Sequence, residues 1–266
     1  MVIYMNKPST ELSILFLSCD KYSDLWMPLF HCVHKYFQNN EYSMYLGSNT
    51  KTYKNKWIKT LLSGQDQDWS TSLIKILDQI TTPYIFLWLD DMFPIKKVSV
   101  ARFTEVLAFM KSKKAMHVHV EPTPVPDKIL TNGKFGEYTE GQPYRTIAMG
   151  FWEVAALKKL LIPGESPWNF EIMGSYRSSY IDGCYCAIQP IFTSMNVVEK
   201  GKIFLEASLY CQKHGIPLDV TKREVMVDAN RLKSEIQKVI FSIMIKIPWK
   251  WRVSIMNVLR KIMVSY

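Results

Sequence analysis

The chain has 266 residues, of which 48% are hydrophobic and 13% aromatic, and it carries a formal net charge of +9. This composition excludes a disordered or collagen-like protein, and the length allows one large α/β domain, alone or with a small appendage. Five scattered cysteines suit a reducing compartment better than a disulfide framework. Because no leader-like segment precedes the first strand and no apolar run reaches the length of a bilayer span, we expect a cytoplasmic protein.

The first apolar segment, in the stretch Glu11 to Asp20, predicts a buried strand that runs into Ser18, Cys19 and Asp20. An amphipathic pattern follows over residues 25–37 and predicts a helix with one apolar face, capped by Ser23 or Asp24. A strand followed by a helix is typical of the first βα unit of an α/β fold.

The next segment predicts a short second strand over residues 42–47 and then a polar, lysine-rich loop or irregular helix over residues 48–59. Asp66 and Trp69 lie in the turn-rich stretch that follows. Helical spacing resumes at Ser70 and ends before a proline, which disfavours helix continuation.

The most informative stretch is the apolar run of residues 84–89, which ends in two adjacent carboxylates, Asp90 and Asp91. An apolar run without alternation predicts a strand buried on both faces. Ligands of α/β sheets bind beyond the carboxyl ends of strands, so this pair would stand at the rim of a cleft. A divalent cation there would join carboxylate and phosphate oxygens. The alternative is an ordinary capping or loop pair that faces water.

Residues 116–121 alternate like a half-buried strand and place His117 and His119 on one face. Without a third ligand nearby, this spacing favours an exposed or hydrogen-bonded pair over a metal site. The following stretch, residues 122–143, is rich in proline and glycine and predicts an excursion with a hairpin over the cleft.

A later helix start places a carboxylate beside aromatic side chains. Ser166 is the predicted cap, Pro167 occupies the first helical position, and Glu171 falls in the first turns near Trp168 and Phe170. Desolvation there would raise the pKa of Glu171, which is one way a carboxylate is tuned to act as a general base. The alternative is a glutamate that merely stabilises the helix start.

The tail, residues 236–266, carries two apolar sets at helical spacing, interleaved with lysine and arginine, with Trp249 and Trp251 at the hinge. This pattern predicts a pair of interfacial helices on the anionic inner surface of the cytoplasmic membrane. Packing onto the domain core or a second subunit is the alternative. We therefore divide the chain into a catalytic domain, residues 1–230, and a basic amphipathic tail, residues 231–266.

Five segments taken together resemble the GT-A-type glycosyltransferases of bacterial capsule and O-antigen assembly, and the resemblance covers residues 10–225. The resemblance implies a GT-A-like Rossmann-type mixed sheet flanked by helices. The carboxylate motif of that fold stands here as Leu89-Asp90-Asp91 and lacks the first aspartate. The segments are Ser18-Cys-Asp20, Gly64-Gln-Asp-Gln-Asp-Trp-Ser70, Trp88-Leu-Asp-Asp91, Ser166-Pro-Trp-Asn-Phe-Glu171 and Asn196-Val-Val-Glu-Lys-Gly201.

By this resemblance, the residues of the expected site divide into a donor side and an acceptor side. Glu171 matches the acceptor-activating base of inverting members, and Trp168 would contact the acceptor. A divalent metal, Mn²⁺ or Mg²⁺, need not be obligatory. The donor side would consist of Ser18 and Asp20 at the nucleoside, Asp66 and Trp69 at the base or ribose, and Asp91 with Asp90 at the metal on the sugar diphosphate.

The expected reaction moves a sugar from a nucleotide-diphosphate donor, a UDP-sugar in the first instance, to a hydroxyl of an undecaprenyl-diphosphate-linked saccharide, with inversion. Two other functions stay open. A sugar nucleotidyltransferase would normally show a glycine-rich phosphate loop after its first strand, and residues 18–22 contain no glycine. A non-catalytic membrane-binding module is the other. No nucleic-acid partner is expected, because the basic residues concentrate in the apolar-faced tail and no nucleic-acid motif is present.

Overall fold

The computed structural model describes residues 9–38, 40–139 and 141–226, together with residues 243, 247, 251 and 255. The predicted membrane tail therefore lies outside the described residues apart from those four positions, and both the tail and the domain division stay predictions. In chain order the elements are β1 Leu12–Leu17, α1 Trp26–Tyr36, β2 Ser43–Ser48, β3 Ile58–Leu62, α2 Trp69–Leu77, β4 Tyr84–Leu89, β5 Met92–Pro94, α3 Val100–Lys113, β6 His117–His119, β7 Lys128–Ile129, β8 Phe135–Glu137, β9 Gly150–Glu153, α4 Val154–Leu160, α5 Pro167–Arg177, β10 Cys184–Ala187, β11 Ser194–Asn196, β12 Val198–Glu199, β13 Lys202–Phe204, α6 Leu205–Lys213 and β14 Val225–Met226.

Within the described residues, nine strands form the central sheet, in the order β3-β2-β1-β4-β9-β6-β10-β8-β7. The first four are parallel, β9 runs antiparallel to both β4 and β6, and β6 pairs in parallel with β10. The predicted mixed α/β sheet flanked by helices is thus confirmed. Two small sheets, β5 with β11 and β12 with β13 and β14, lie outside it.

The central strands are buried on both faces, which explains why their sequences lack alternation. Phe16 of β1 and Trp88 of β4 belong to the core layer that includes α1 and α3, and their rings lie 5.2 Å apart. Leu15 and Leu87 belong to the layer on the other face, with α2, α4 and Phe170 of α5. Both faces of the sheet are therefore covered by helices.

Three local predictions differ from the structure. The segment predicted as a loop ends in β3, an edge strand whose Lys59 is exposed, so no apolar run marked it. Strand β6 is fully buried rather than half-buried, because both of its faces are covered: Val118 lies in the core layer that includes α3, and the His117 ring stacks on the Trp152 ring at 3.9 Å. Helix α1 begins without a side-chain cap, because of the two predicted capping residues Asp24 pairs with Arg223 and Ser23 accepts a hydrogen bond from Lys51 Nζ.

Several strands end at the same edge of the sheet. The parallel strands β1, β2, β3 and β4 all end there, and β9 begins there, with Gly150 opposite Leu87 of β4. Gly150 has φ +154, and a Cβ at this position would lie 2.6 Å from Cε1 of His117, so only glycine fits. We call this the carboxyl edge. Among the described helices, none is both long and apolar enough to cross a membrane.

Candidate active site at the carboxyl edge

The ends of β1 and β4 are tied together by one hydroxyl. Ser18 Oγ donates a hydrogen bond to Asp90 Oδ2 and accepts one from Trp26 Nε1 at 2.7 Å. Asp90 is only 8% exposed. The alternative that the carboxylate pair faces water is therefore wrong for Asp90, whose side chain lies inside the edge of the sheet.

Both carboxyl groups of the pair have raised pKa values. Burial, followed by repulsion from Asp91, raises the pKa of Asp90 to about 8, and burial raises the pKa of Asp91 to about 6. Asp91 Oδ1 is buried and has no hydrogen-bond partner among the described residues. Buried polar atoms are normally satisfied, so this oxygen is a position where a bound group would supply the partner.

A divalent cation fits the pair on these grounds. Two adjacent, desolvated carboxylates with an unpartnered oxygen favour a positive charge beside them. The described part of the chain holds no group of three His, Cys, Asp or Glu side chains able to ligate a metal. A cation at this edge would therefore rest on Asp91 and Asp90 and take its remaining ligands from substrate oxygens and water, as Mg²⁺ commonly does.

Asp20 organises the loop that follows β2. Its carboxylate accepts hydrogen bonds from the main-chain N–H groups of Asn49, Thr50 and Lys51 at 3.0 to 3.2 Å, and from the Thr50 hydroxyl at 2.5 Å. Burial acts to raise the pKa of Asp20, but these hydrogen bonds outweigh it and lower the pKa overall. The carboxylate thus has a structural role, and its predicted contact with a nucleoside stays a prediction.

Asn49, which the sequence did not single out, connects the ends of three strands. Its Oδ1 accepts from the main-chain N–H of Asp20 at 3.0 Å, and its Nδ2 lies 3.3 Å from Ser63 Oγ and 3.4 Å from Asp66 Oδ1. Asp66 and Asp20 are therefore brought to the same edge through one amide. The sequence feature that could have identified Asn49 is its position directly after the predicted second strand.

Trp69 starts α2, which Asp68 caps by accepting from the main-chain N–H of Thr71 at 2.8 Å. The Trp69 ring lies 5.4 Å from the ring of Phe170 in α5. This contact brings the predicted base-binding tryptophan next to the helix that carries Glu171.

Helix α5 begins as predicted, with the Ser166 hydroxyl accepting from the main-chain N–H of Asn169 at 3.2 Å and Pro167 at its start. Glu171 Oε1 accepts a hydrogen bond from the main-chain N–H of Ala148 at 3.0 Å. Burial raises the pKa of Glu171 to about 7, and the Ala148 hydrogen bond acts in the opposite direction. The sequence predicted that desolvation would raise the pKa of Glu171, and burial is the main cause of the raised pKa in the structure.

The register of β9 places Ala148, and with it Glu171, near the carboxyl end of β4. Ala148 lies two residues before Gly150, and Gly150 pairs with Leu87, which is three residues before Asp90. Glu171 and the aspartates therefore belong to one edge of the sheet. Trp168 lies one helical turn before Glu171 and is 63% exposed, so its indole is accessible to a ligand.

Arg223 fastens the turn after β1, and no sequence prediction named it. It donates to both carboxylate oxygens of Asp24 at 2.7 Å and to the carbonyl of Lys21 at 2.9 Å, and its guanidinium lies 4.3 Å from the centre of the Tyr22 ring. Its charge also acts to lower the pKa of Asp90. No periodic pattern marks this segment, so no sequence signal pointed to it.

The two histidines of β6 are buried and hydrogen-bonded to the main chain, so the exposed alternative is wrong and the hydrogen-bonded one is confirmed. The Nδ1 atoms of His117 and His119 lie 3.0 Å and 2.8 Å from the carbonyl oxygens of Phe151 and Glu121. Burial lowers the pKa of both rings, that of His119 to about 4. Among the described residues they belong to no group of three His, Cys, Asp or Glu side chains that could hold a metal ion.

Comparison with known proteins gives similar folds at low similarity. No protein-family model matches the chain, and no curated protein matches it in sequence. Among solved structures, S. aureus TarS aligns at 12% identity with a TM-score of 0.44, over 69% of this chain and 36% of that one. TarS 1–349 in complex with UDP-GlcNAc aligns at 13% identity with a TM-score of 0.46, over 69% of this chain and 57% of that one.

A CMP:2-keto-3-deoxy-manno-octonic acid synthetase complexed with CTP aligns at 10% identity with a TM-score of 0.43, over 77% of this chain and 96% of that one. The alignments with the TarS structures cover 36% and 57% of those chains, which is less than two thirds of their length. At this level of similarity the comparisons assign no activity to the chain.

Proposed function

We propose that this protein is a GT-A-type glycosyltransferase that moves a sugar from a nucleoside-diphosphate donor to an acceptor hydroxyl, with inversion. One observation carries the proposal. A single edge of the sheet holds a desolvated carboxylate pair with an unpartnered oxygen and, on a neighbouring helix, a carboxyl group whose pKa is about 7. These are the two chemical requirements of the reaction, since a diphosphate leaves and an acceptor hydroxyl loses a proton.

On the donor side, Asp91 and Asp90 would hold a divalent cation, Mn²⁺ or Mg²⁺, which when bound neutralises the negative charge of the diphosphate. Ser18 fixes Asp90 by a hydrogen bond and so acts as a positioning residue. Asp66, Trp69 and the loop held by Asp20 would surround the nucleoside.

On the acceptor side, Glu171 would accept the proton of the attacking hydroxyl. The acceptor oxygen then forms a bond to the anomeric carbon on the face opposite the diphosphate, while the bond from that carbon to the diphosphate oxygen breaks and the nucleoside diphosphate leaves. A pKa of about 7 suits a general base, because a large fraction of the group is ionised while it still binds a proton well. The exposed Trp168 would stack on an acceptor sugar.

The proposed acceptor is an undecaprenyl-diphosphate-linked saccharide of surface polysaccharide assembly. Such an acceptor would place the enzyme at the cytoplasmic face of the membrane, where the basic tail of residues 236–266 would add contact. This part of the proposal rests on the sequence pattern of the tail.

The test is a panel of UDP-, GDP-, dTDP- and CMP-sugars with Mn²⁺, monitored by thermal shift and by slow hydrolysis of the donor. We expect stabilisation and hydrolysis with one nucleotide sugar. A response to a nucleoside triphosphate, with pyrophosphate release when a sugar is added, would instead identify a nucleotidyltransferase. A protein that responds to neither class of nucleotide would be a non-catalytic module.

A further inference from the structure

A second surface of the protein combines exposed aromatic and apolar side chains with unpaired lysines. It is formed by the outer side of α1 and by residues 50–59, which lead into the edge strand β3. We call it the basic aromatic surface, and its members are Met27, His34, Lys35, Lys54, Lys56, Trp57 and Lys59.

Two apolar side chains of this surface, Trp57 and Met27, are exposed, and ring contacts fix the position of Trp57. Trp57 is 55% exposed, and its ring lies 5.2 Å from the ring of His34 on α1. Beneath it, Tyr53 packs against Phe30 at 4.9 Å, which fastens the loop to the helix. Met27 is also 55% exposed on the first turn of α1. The indole and the thioether are therefore presented by an ordered scaffold.

The charge of this surface has one sign. Residues 25–40 and 50–65 contain five lysines and neither arginine, aspartate nor glutamate. Elsewhere lysines meet carboxylates, as in the pairs Lys111 with Glu11 and Lys134 with Glu105. In the part of the chain that the structure describes, Lys54, Lys56 and Lys59 make no such pair, and Lys56 Nζ lies 4.5 Å from the centre of the Trp57 ring. The positive charge of this surface is therefore available to an anionic partner.

The basic aromatic surface begins next to the candidate active site. Trp26, which precedes Met27, donates to Ser18, and Ser18 donates to Asp90. On the loop side, Lys51 Nζ donates to the carbonyl of Asp20 at 3.1 Å. The Met27 end of this surface therefore lies beside the carboxyl edge, whereas Trp57 and Lys59, at the start of β3, lie toward the opposite edge of the sheet.

We propose that the basic aromatic surface docks on an anionic phospholipid bilayer. Tryptophan is favoured at the boundary between headgroups and acyl chains, and clustered basic residues are attracted to anionic leaflets. The absence of arginine in these segments speaks against a partner read by bidentate phosphate contacts, such as a nucleic acid. The docking deepens the proposed function, and rests on it, by holding the site next to a lipid-linked acceptor through the described body of the protein.

Binding of the full chain to vesicles tests this docking. The variant K54E/K56E/K59E reverses three charges on the surface, and the matched control K75E/K113E/K159E makes the same charge change at exposed lysines on α2, α3 and α4. We expect partition onto phosphatidylglycerol vesicles to fall about tenfold or more in the first variant and about twofold or less in the control. Equal losses in the two variants, or no loss in the first, would overturn the proposal, because net charge or the tail would then account for binding.

Quenching by brominated lipids tests the insertion of the indole. We expect part of the tryptophan quenching of the wild type to disappear in Trp57→Phe. If soluble heparin displaces the protein from vesicles and Trp57→Phe changes no quenching, the surface binds soluble polyanions and the bilayer proposal fails.

Donor-induced thermal shift, measured without lipid, should be unchanged in K54E/K56E/K59E. A wild type that binds vesicles but responds to no nucleotide sugar would sink the proposed function and leave the docking standing.

Discussion

Ser18 donates a hydrogen bond to Asp90 across the ends of two neighbouring parallel strands, 72 residues apart in sequence. The same hydroxyl accepts from Trp26, so a single oxygen joins β1, β4 and the start of α1. This arrangement distinguishes the two aspartates. Asp90 has a protein partner and is held in place, whereas Oδ1 of Asp91 has none among the described residues.

We predict that Ser18→Ala destabilises the fold by about 1–3 kcal/mol, because it leaves Asp90 and the Trp26 indole without their shared partner in a buried position. Urea unfolding at pH 7 measures the loss. Thr10→Ala, which removes a hydroxyl at an exposed position, is the control and should change stability by about 0.5 kcal/mol or less. A Ser18→Ala protein as stable as the control would mean that the bond contributes nothing.

Asp91→Asn should abolish sugar transfer without unfolding the protein. The substitution removes the charge that would hold the cation and relieves the burial of an ionised group, so the melting temperature should stay the same or rise. We expect transfer to fall about 100-fold or more and the Mn²⁺-dependent thermal shift to vanish. The control is Asp78→Asn, whose carboxylate pairs with Lys158 on the surface. Transfer retained in Asp91→Asn would show that the metal is assigned to the wrong residue.

Glu171→Gln should lower the turnover rate by roughly 10²–10⁴-fold, the usual contribution of a positioned base. The wild-type rate should fall as pH drops below about 7, since the protonated group cannot accept the acceptor proton. The rate of the variant should depend less steeply on pH over this range, and what remains should come from protonation of Asp91 and Asp90, whose pKa values are also raised. A variant with an unchanged pH profile would place the base elsewhere.

The same group predicts the direction of a stability change with pH. Folding raises the pKa of Glu171 from its usual range to about 7, so between these values the folded protein binds more protons than the unfolded chain. Its contribution to the free energy of unfolding must therefore fall as pH rises through that interval. Urea unfolding at pH 5 and pH 8 should show a smaller decrease in Glu171→Gln than in the wild type. Equal decreases would mean that the pKa is not raised.

We predict that Arg223→Ala costs roughly 3 kcal/mol, because it leaves the carboxylate of Asp24 largely buried without its cation. The side chains of this pair are 9% and 18% exposed. Asp24→Ala added to Arg223→Ala should cost less than the sum of the two single changes, as measured in a double-mutant cycle. The control cycle uses Lys202 and Glu224, an exposed pair that should couple by less than about 1 kcal/mol. Additive effects of Arg223 and Asp24 would contradict their coupling.

The sequence predicts the parts of the fold that are set by local patterns. Strands β1 and β4 follow from apolar runs, and the start of α5 follows from Ser166 and Pro167, because burial and capping depend on neighbours along the chain. Contacts between distant segments leave no such mark. Asn49 reaches Asp20 across 29 residues, and that meeting is decided by the parallel register of β1 and β2.

Edge strand β3 was missed for a related reason. It is paired on one side only, and two of its five residues are exposed, so its composition resembles that of a loop. The prediction that Asp24 could cap α1 was wrong because its actual partner, Arg223, lies near the opposite end of the described chain.

The ion pair between Asp24 and Arg223 joins positions 199 residues apart. A chain growing from its N-terminus can form the parallel strands β1 to β4 well before residue 223 has been made. The turn after β1 would stay without its ion pair until residue 223 has been added to the chain. The order of synthesis would thus separate the formation of the parallel sheet from the completion of its carboxyl edge.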